Sequence, residues 1–173
     1  GRMQMIFQDL DAALNPRMRI RDILKEAISV HHRLDDHDVD KRISELLEQV
    51  SIKKSKLSNF PHELSGGEKR RVGVARVLSV GAKFIVADEP VSALDVSVGA
   101  QIVNLLQKLQ ADFGLTYLFI SHSMPVVRYL ATRIAVMYRG RIVELGTTER
   151  IAGDPQDSYT RKLLAATPDL AVS

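Results

Sequence analysis

Four places in the chain carry side chains suited to phosphate chemistry. The first is Asp88-Glu89, delivered at the end of the apolar run Phe84-Ile85-Val86-Ala87 and followed at once by Pro90. Ligands of open parallel sheets bind outside the carboxyl ends of the strands, which is where these two carboxylates fall. In nucleoside triphosphate hydrolysis the first of such a pair can hold Mg²⁺ and the second can accept a proton from the attacking water. The other reading is a solvated turn, since acidic residues and proline are common where strands end. The second place is Ser65-Gly66-Gly67. A serine cap with two glycines exposes unpaired amides at a helix N-terminus, where the macrodipole favours an anion and no side chain blocks its approach. An ordinary N-cap after a loop has the same residues. His122 follows the apolar run Leu115 to Ile120 and is either a polar contact to a phosphate oxygen or a histidine at a loop edge. Gln8, after the run Met3 to Phe7, says least by itself.

The elements that must hold these residues follow from periodicity. Met3 to Gln8 reads as a short strand that meets a loop at Asn15-Pro16. From Ile20 to about Val50 the chain is helical, most clearly in the stripe Val39, Ile43, Leu46, Leu47 and Val50, with caps at Asp36 and Asp38. Ser51 to Pro61 reads as a loop. Ser65 and Glu68 have capping-box spacing, so a helix starts at Ser65 and runs to Val80. The continuous apolar run Phe84 to Ala87 suits a strand buried on both faces. Val96 to Phe113 is a helix closed by Gly114, and Leu115 to Ile120 is the next strand. A short helix follows Pro125, strands at Arg133 to Met137 and Arg141 to Leu145 flank the turn Arg139-Gly140, and a last helix covers Ser158 to Ala166. Strand alternating with helix predicts an α/β fold with a mostly parallel sheet, interrupted by a helical insertion between Pro16 and Leu64.

Composition narrows the chemistry. A chain of 173 residues is on the usual prior one domain with a real core, and 45% hydrophobic with 26% charged residues is ordinary globular usage. The net charge of +3 is spread along the chain, which argues against a dedicated nucleic-acid binder. With no cysteine there is no disulfide, thiolate metal site or cysteine nucleophile. No apolar run approaches the ~18 residues that span a bilayer, and GRMQMIFQDL has no signal-peptide pattern, so a cytoplasmic location is expected, with any membrane contact made through partners.

The order of the motifs carries more than any one of them. LSGGE at Leu64 to Glu68, FIVADEP at Phe84 to Pro90, SALD at Ser92 to Asp95, ISH at Ile120 to His122 and FQD at Phe7 to Asp9 together resemble the ATP-binding cassette ATPases, from about Met3 to Leu170. ALNPRM, PHELSGG, DEPVSALDVS and SYTRKLLAATPDL are most similar to the dipeptide and oligopeptide importer branch, whose members energise transmembrane permeases. The resemblance implies a P-loop NTPase fold, ATP and Mg²⁺, and a head-to-tail dimer of ATPase subunits docked on permease subunits at the inner face of the membrane. It implies that Ser65, Gly66, Gly67 and the adjoining Glu68 form the signature loop that contacts ATP held by the opposite subunit. On the same basis Asp88 is the Walker B carboxylate at Mg²⁺, Glu89 the general base, Gln8 the Q-loop glutamine at Mg²⁺ and water, His122 the switch histidine, and Asp95 a D-loop residue. Residues 16–80 correspond to the helical subdomain, and 1–15 with 81–173 to part of the core and a C-terminal extension.

The chain departs from that pattern in two respects. No G-x-x-x-x-G-K-[ST] occurs, so the Walker A phosphate loop is not among these residues. The sequence therefore reads as N-terminally truncated, and alone it is expected neither to hold ATP tightly nor to turn it over. The missing strand would leave apolar edges exposed and the isolated chain prone to aggregation. Glu68 stands where this branch more often has Gln, placing a negative charge near a phosphate and predicting slower hydrolysis. The basic run Lys69-Arg70-Arg71 reads as a solvated helix face or a partner interface without a catalytic role. Two other functions fit part of the pattern: a non-catalytic subunit that donates only its signature loop, and a DNA-associated ATPase of the chromosome-organising type. The latter place a long coiled coil between their halves, whereas roughly 55 residues without sustained heptads separate Gln8 from Leu64.

Overall fold

The structure, a computed structural model, describes residues 3–8, 13–30 and 34–166. Asp9 of the FQD motif and residues 167–170 of the C-terminal motif lie outside them. The chain forms two compact units, Gly1–Ile120 and Ser121–Ser173.

In the first unit the strands β1 (Met3–Ile6), β2 (Phe84–Asp88) and β3 (Thr116–Ile120) form a parallel sheet in the order β1-β2-β3. Register is continuous: Ile6 pairs with Ala87, Ala87 with Phe119, and Asp88 with Ile120. The helical insertion comprises α1 (Ile20–Ser29) and α2 (Asp36–Gln49), with single 3₁₀ turns at Lys54–Ser58 and Pro61–Glu63. The helix α3 (Gly66–Ser79) follows, and α4 (Val96–Phe113) connects β2 to β3. The expected stripe Val39, Ile43, Leu46, Leu47 and Val50 is wholly buried, and it shares one core with Ile20, Leu24 and Ile28 of α1 and Val72, Val74 and Ala75 of α3. Gly114 closes α4 at φ 60°, a left-handed position that glycine occupies without a Cβ penalty.

Four local expectations are corrected. The helix read continuously from Ile20 is two helices, and residues 31–33 between them lie outside the described residues. The cap of α2 is Asp35, whose carboxylate accepts from the Asp38 N–H at 2.8 Å. Asp36 and Asp38 sit instead in the first turn, where negative charge complements the helix dipole. The segment after Val50 is partly 3₁₀, short i+3 structure that leaves no periodic signature. Finally, β2 buries one face through Ile85 and Ala87, while Phe84 on the other is 36% exposed. The neighbouring β3 likewise exposes Leu118 and Ile120.

The second unit contains α5 (Met124–Leu130), the antiparallel pair β4 (Arg133–Tyr138) and β5 (Arg141–Thr147), α6 (Thr148–Gly153) and α7 (Ser158–Ala165). The hairpin turns on Arg139 at φ 48° and Gly140 at φ 79°, two consecutive left-handed residues that match the twist of the strands. Its small core gathers Met124, Ile134, Val136 and Ile151. Glu144 is buried, and its two carboxylate oxygens accept the Gln156 N–H at 2.8 Å and the Asp157 N–H at 3.1 Å. Those amides hold its carboxyl below the ordinary range and fix the start of α7. Helix α6 has no counterpart in the sequence reading, being only six residues long.

Candidate functional site

Two polar regions arise in the first unit from different elements. The carboxyl end of the sheet is set by strand register. Because Ile6 stands opposite Ala87, Gln8 and Glu89 each lie two residues beyond a paired position, with Asp88 at the last residue of β2. The parallel sheet thus brings Gln8, Asp88 and Glu89 to one end from positions 80 residues apart in sequence. Gln8 is exposed, and Asp88 and Glu89 are half-buried.

The turn after β2 is tight. Glu89 has φ 44° and Ala93 φ 60°, both left-handed and neither a glycine. A side chain held there costs about 1–2 kcal/mol, which surrounding bonds must offset. Here the Glu89 N–H donates to Ile120 O at 2.9 Å, and its carbonyl accepts from the Ser92 N–H at 3.1 Å and the Ser92 hydroxyl at 2.8 Å. Backbone from β3 and the Ser92 side chain thereby hold Glu89 in a conformation it would not choose.

The second region is the N-terminus of α3. Ser65 caps it: its Oγ accepts the Glu68 N–H at 3.2 Å, and Glu68 Oε2 accepts the Ser65 N–H at 2.9 Å, completing the capping box read from sequence. Glu68 Oε1 also pairs with Lys56 Nζ at 3.0 Å. The Ser65 amide, with Lys56 beside it, holds the Glu68 carboxyl below the usual carboxylate range. The negative charge expected to face a phosphate is thus tied into the cap and matched by a lysine. Gly66 and Gly67 occupy the first helical positions, where amides have no intrahelical acceptor. Their lack of side chains also has a packing reason. A Cβ on Gly67 would fall 2.6 Å from Val98 Cγ1, and one on Gly66 3.3 Å from Leu94 Cδ2.

Those neighbours flank Asp95, the third expected site on this unit. Asp95 caps α4, accepting the Val98 N–H at 2.9 Å, and remains exposed, as does the adjoining Val96. The signature-like glycines and the Asp95 turn are therefore packed against each other. The segment before α3 is braced as well: Glu63 Oε2 accepts the Phe60 N–H at 2.6 Å, and the Arg19 guanidinium lies over the Phe60 ring at 4.8 Å. His122 belongs to the second unit, exposed in the stretch that leads into α5, where the Ser123 N–H donates to Ser121 Oγ at 3.0 Å.

One residue of the basic run is not on a solvated face. Arg70 is 6% exposed; its Nη1 donates to Phe7 O and its Nη2 to Ser92 O, each at 3.1 Å. Arg71 and Arg76 also reach backbone carbonyls, those of Val50 and Ala13. The sequence held a signal for Arg70, which shares the i, i+4, i+8 row of α3 with the buried Val74 and Leu78. For Lys56 it held none, because its partner lies twelve residues away across two 3₁₀ turns. Among the described residues one further group of potential metal ligands, Asp35, His37 and Asp38, is exposed at the start of α2, where Asp35 already serves as the cap.

Comparison with known proteins converges on one family. Residues 1–92 match the ABC transporter family. The chain is 51% identical over 167 residues to the oligopeptide transport ATP-binding protein OppF of Streptococcus mutans, covering 96% of this chain and 54% of that protein. It is 50% identical over 166 residues to the glutathione import ATP-binding protein GsiA of Escherichia coli, covering 96% of this chain and 27% of that protein. The chain spans about half the length, or less, of the curated relatives it matches. Among solved structures, cbiO1 of Clostridium perfringens, part of the ABC transporter complex cbiONQ, aligns with TM-score 0.79 at 26% identity over 95% of this chain and 63% of that one. A dimeric ATP-binding cassette in a post-hydrolysis state with ADP and Pi aligns with TM-score 0.73 at 27% identity, over 84% of this chain and 62% of that one. A half-chain family match and the shared parallel α/β fold agree with the order of the motifs, and the chain belongs to the ABC transporter family.

Proposed function

We propose that this chain is the portion of an ATPase subunit that carries the signature loop and the catalytic carboxylate, and that the subunit energises import of peptides or similar small solutes. The observation that carries the reading is the register placing Gln8, Asp88 and Glu89 at one end of a parallel sheet. The donor set suits the expected ion: Asp88 and Gln8 offer hard oxygen ligands and no sulfur, the preference of Mg²⁺. Bound Mg²⁺ would neutralise charge on the nucleotide's phosphate oxygens.

The chain's own residues supply the rest of the chemistry. Glu89, fixed by its bonds to Ile120 and Ser92, orients and deprotonates the attacking water, and His122 contacts the terminal phosphate. Ser65, Gly66 and Gly67, with Glu68 and Asp95 beside them, face nucleotide held by a second ATPase subunit. The unpaired amides of Gly66 and Gly67 and the dipole of α3 favour the anion there, while Lys56 compensates Glu68. Residues 16–80 act as the helical subdomain that bears this loop, and 1–15 with 81–173 as core and C-terminal extension. The partners are a second cassette and transmembrane permease subunits, with no direct nucleic-acid role. No helix among the described residues is long and apolar enough to cross a membrane. As part of the same proposal, contact with the bilayer runs through the permease at its cytoplasmic face.

The test is Mg²⁺-dependent ATP hydrolysis by the full-length gene product, alone and reconstituted with its permease in vesicles containing a peptide-binding protein. Hydrolysis accelerated by oligopeptides supports the proposal. Absence of hydrolysis, or acceleration by added DNA instead, overturns it.

A further inference from the structure

We propose that Arg70 is a positioning residue that sets the distance between the Gln8 and Glu89 segments and ties both to the helix bearing the anion-binding amides. The inference rests on the ATPase reading above for its kinetic consequence, though its structural content stands apart. Nothing in the motif pattern assigns Arg70 a role.

A guanidinium is always charged, and removing it from water is costly unless its donors are satisfied. Arg70 is 6% exposed and spends two donors on main-chain carbonyls from different loops. Phe7 O belongs to the residue immediately before Gln8, and Ser92 O to the residue whose amide and hydroxyl both hold the Glu89 carbonyl. The planar fork fixes the angle between its donors, so engaging both carbonyls fixes the two loops relative to each other. Arg70 itself stands one turn into α3, five residues after the Ser65 cap. A rotation of α3 that moves the amides of Gly66 and Gly67 therefore pulls on both loops at the sheet end.

The strained turn gives this geometry a purpose. Glu89 at φ 44° is held by Ile120 on one side and Ser92 on the other, and Arg70 anchors the Ser92 side. Without the guanidinium, Phe7 O and Ser92 O lose a charged donor and the 89–92 turn can relax. Lysine, a point charge on a flexible stem, can hold one carbonyl but not a fixed pair. Methionine fills similar space and holds neither.

The experiment compares wild-type, Arg70→Lys and Arg70→Met forms of the full-length protein by steady-state ATP hydrolysis and by amide hydrogen exchange. Arg70→Met is expected to lower kcat about 10–100-fold, the effect of a misplacement on the order of 1 Å, while KM for ATP stays within about threefold. Exchange should quicken at residues 7–8 and 89–92 and stay unchanged in α2, with Arg70→Lys intermediate in both readouts. An unchanged kcat, a loss confined to KM, or wild-type protection at both loops in Arg70→Met would overturn the proposal. If Arg70→Met does not fold, Arg70→Lys decides it by the same readouts. Should the wild type itself fail to hydrolyse ATP, the functional reading falls, and exchange at the two loops alone decides whether the strut exists.

Discussion

The N-terminus of α3 and the carboxyl end of the sheet differ in how they hold their polar groups. At the helix, every constraint relaxes the chain: Ser65 and Glu68 satisfy each other, Lys56 balances the charge, and glycine is present where space is short. At the sheet end the constraints work against local preference. Glu89 and Ala93 occupy left-handed backbone without being glycines, and Glu89 is held there by its N–H donating to Ile120 of β3 and its carbonyl accepting from Ser92. The two regions therefore serve different ends. Under the function proposed above, the helix terminus would serve as a preformed anion cradle, and the sheet end would keep a carboxylate aimed at the expense of local stability.

The largest test of this contrast is Gly67→Ala. A methyl 2.6 Å from Val98 Cγ1 requires backbone movement, because valine has no flexible end to swing away. Chemical denaturation of the full-length protein should show a loss of about 1–3 kcal/mol, and Val98→Ala in the same chain should recover most of it. A Gly67→Ala protein as stable as wild type would break the claim that space, not φ, fixes this glycine. At the sheet end the same pair of residues should give the same order for a different reason, backbone φ instead of space. Glu89→Gly should be more stable than Glu89→Ala by about 1 kcal/mol, since both lose the side chain and only alanine keeps the strain. Equal stabilities would mean the turn is not strained.

Smaller effects sharpen the helix side. Ser65→Ala removes the cap and should cost about 1 kcal/mol, visible as a lower denaturation midpoint with an unchanged slope. Glu68→Gln should cost a few tenths of a kcal/mol at neutral pH, about the worth of one partly exposed pair. Its clearer signature is in acid. The folded Glu68 carboxyl lies below its ordinary value of 4.5, so the stability it adds is complete above that pH and is lost as pH falls through the depressed value. Denaturation midpoints from pH 7 to pH 3 should therefore fall less steeply in Glu68→Gln than in wild type. An identical slope would remove the carboxylate from the cap. The same variant tests the sequence-based expectation of slow hydrolysis: with Lys56 already pairing Glu68, the substitution should leave the rate within about threefold.

How far each region is legible in the sequence follows from the distance between its partners. The capping box is written within four residues, and helix α4 with its closing glycine within nineteen, so sequence alone locates both. The sheet end depends on β1 lying parallel beside β2, which brings Gln8 and Glu89 to the same end, a relation that the motif order only suggests and the pairing of Ile6 with Ala87 supplies. The positive φ of Glu89 is invisible, because glutamate is a poor left-handed residue and nothing local asks for it. Arg70 escapes because a run of three basic residues suggests a solvated face, although its helical row is apolar. The 3₁₀ turns and the six-residue α6 are too short for periodicity to register.

The most direct measurement is the kcat for Mg-ATP of the full-length protein carrying Glu89→Gln, taken beside its denaturation midpoint. General-base catalysis predicts a fall of about 10²–10⁴-fold with the midpoint nearly unchanged, since the substitution keeps both shape and backbone. A wild-type rate in Glu89→Gln would contradict the assignment of the sheet end as the catalytic half of the site.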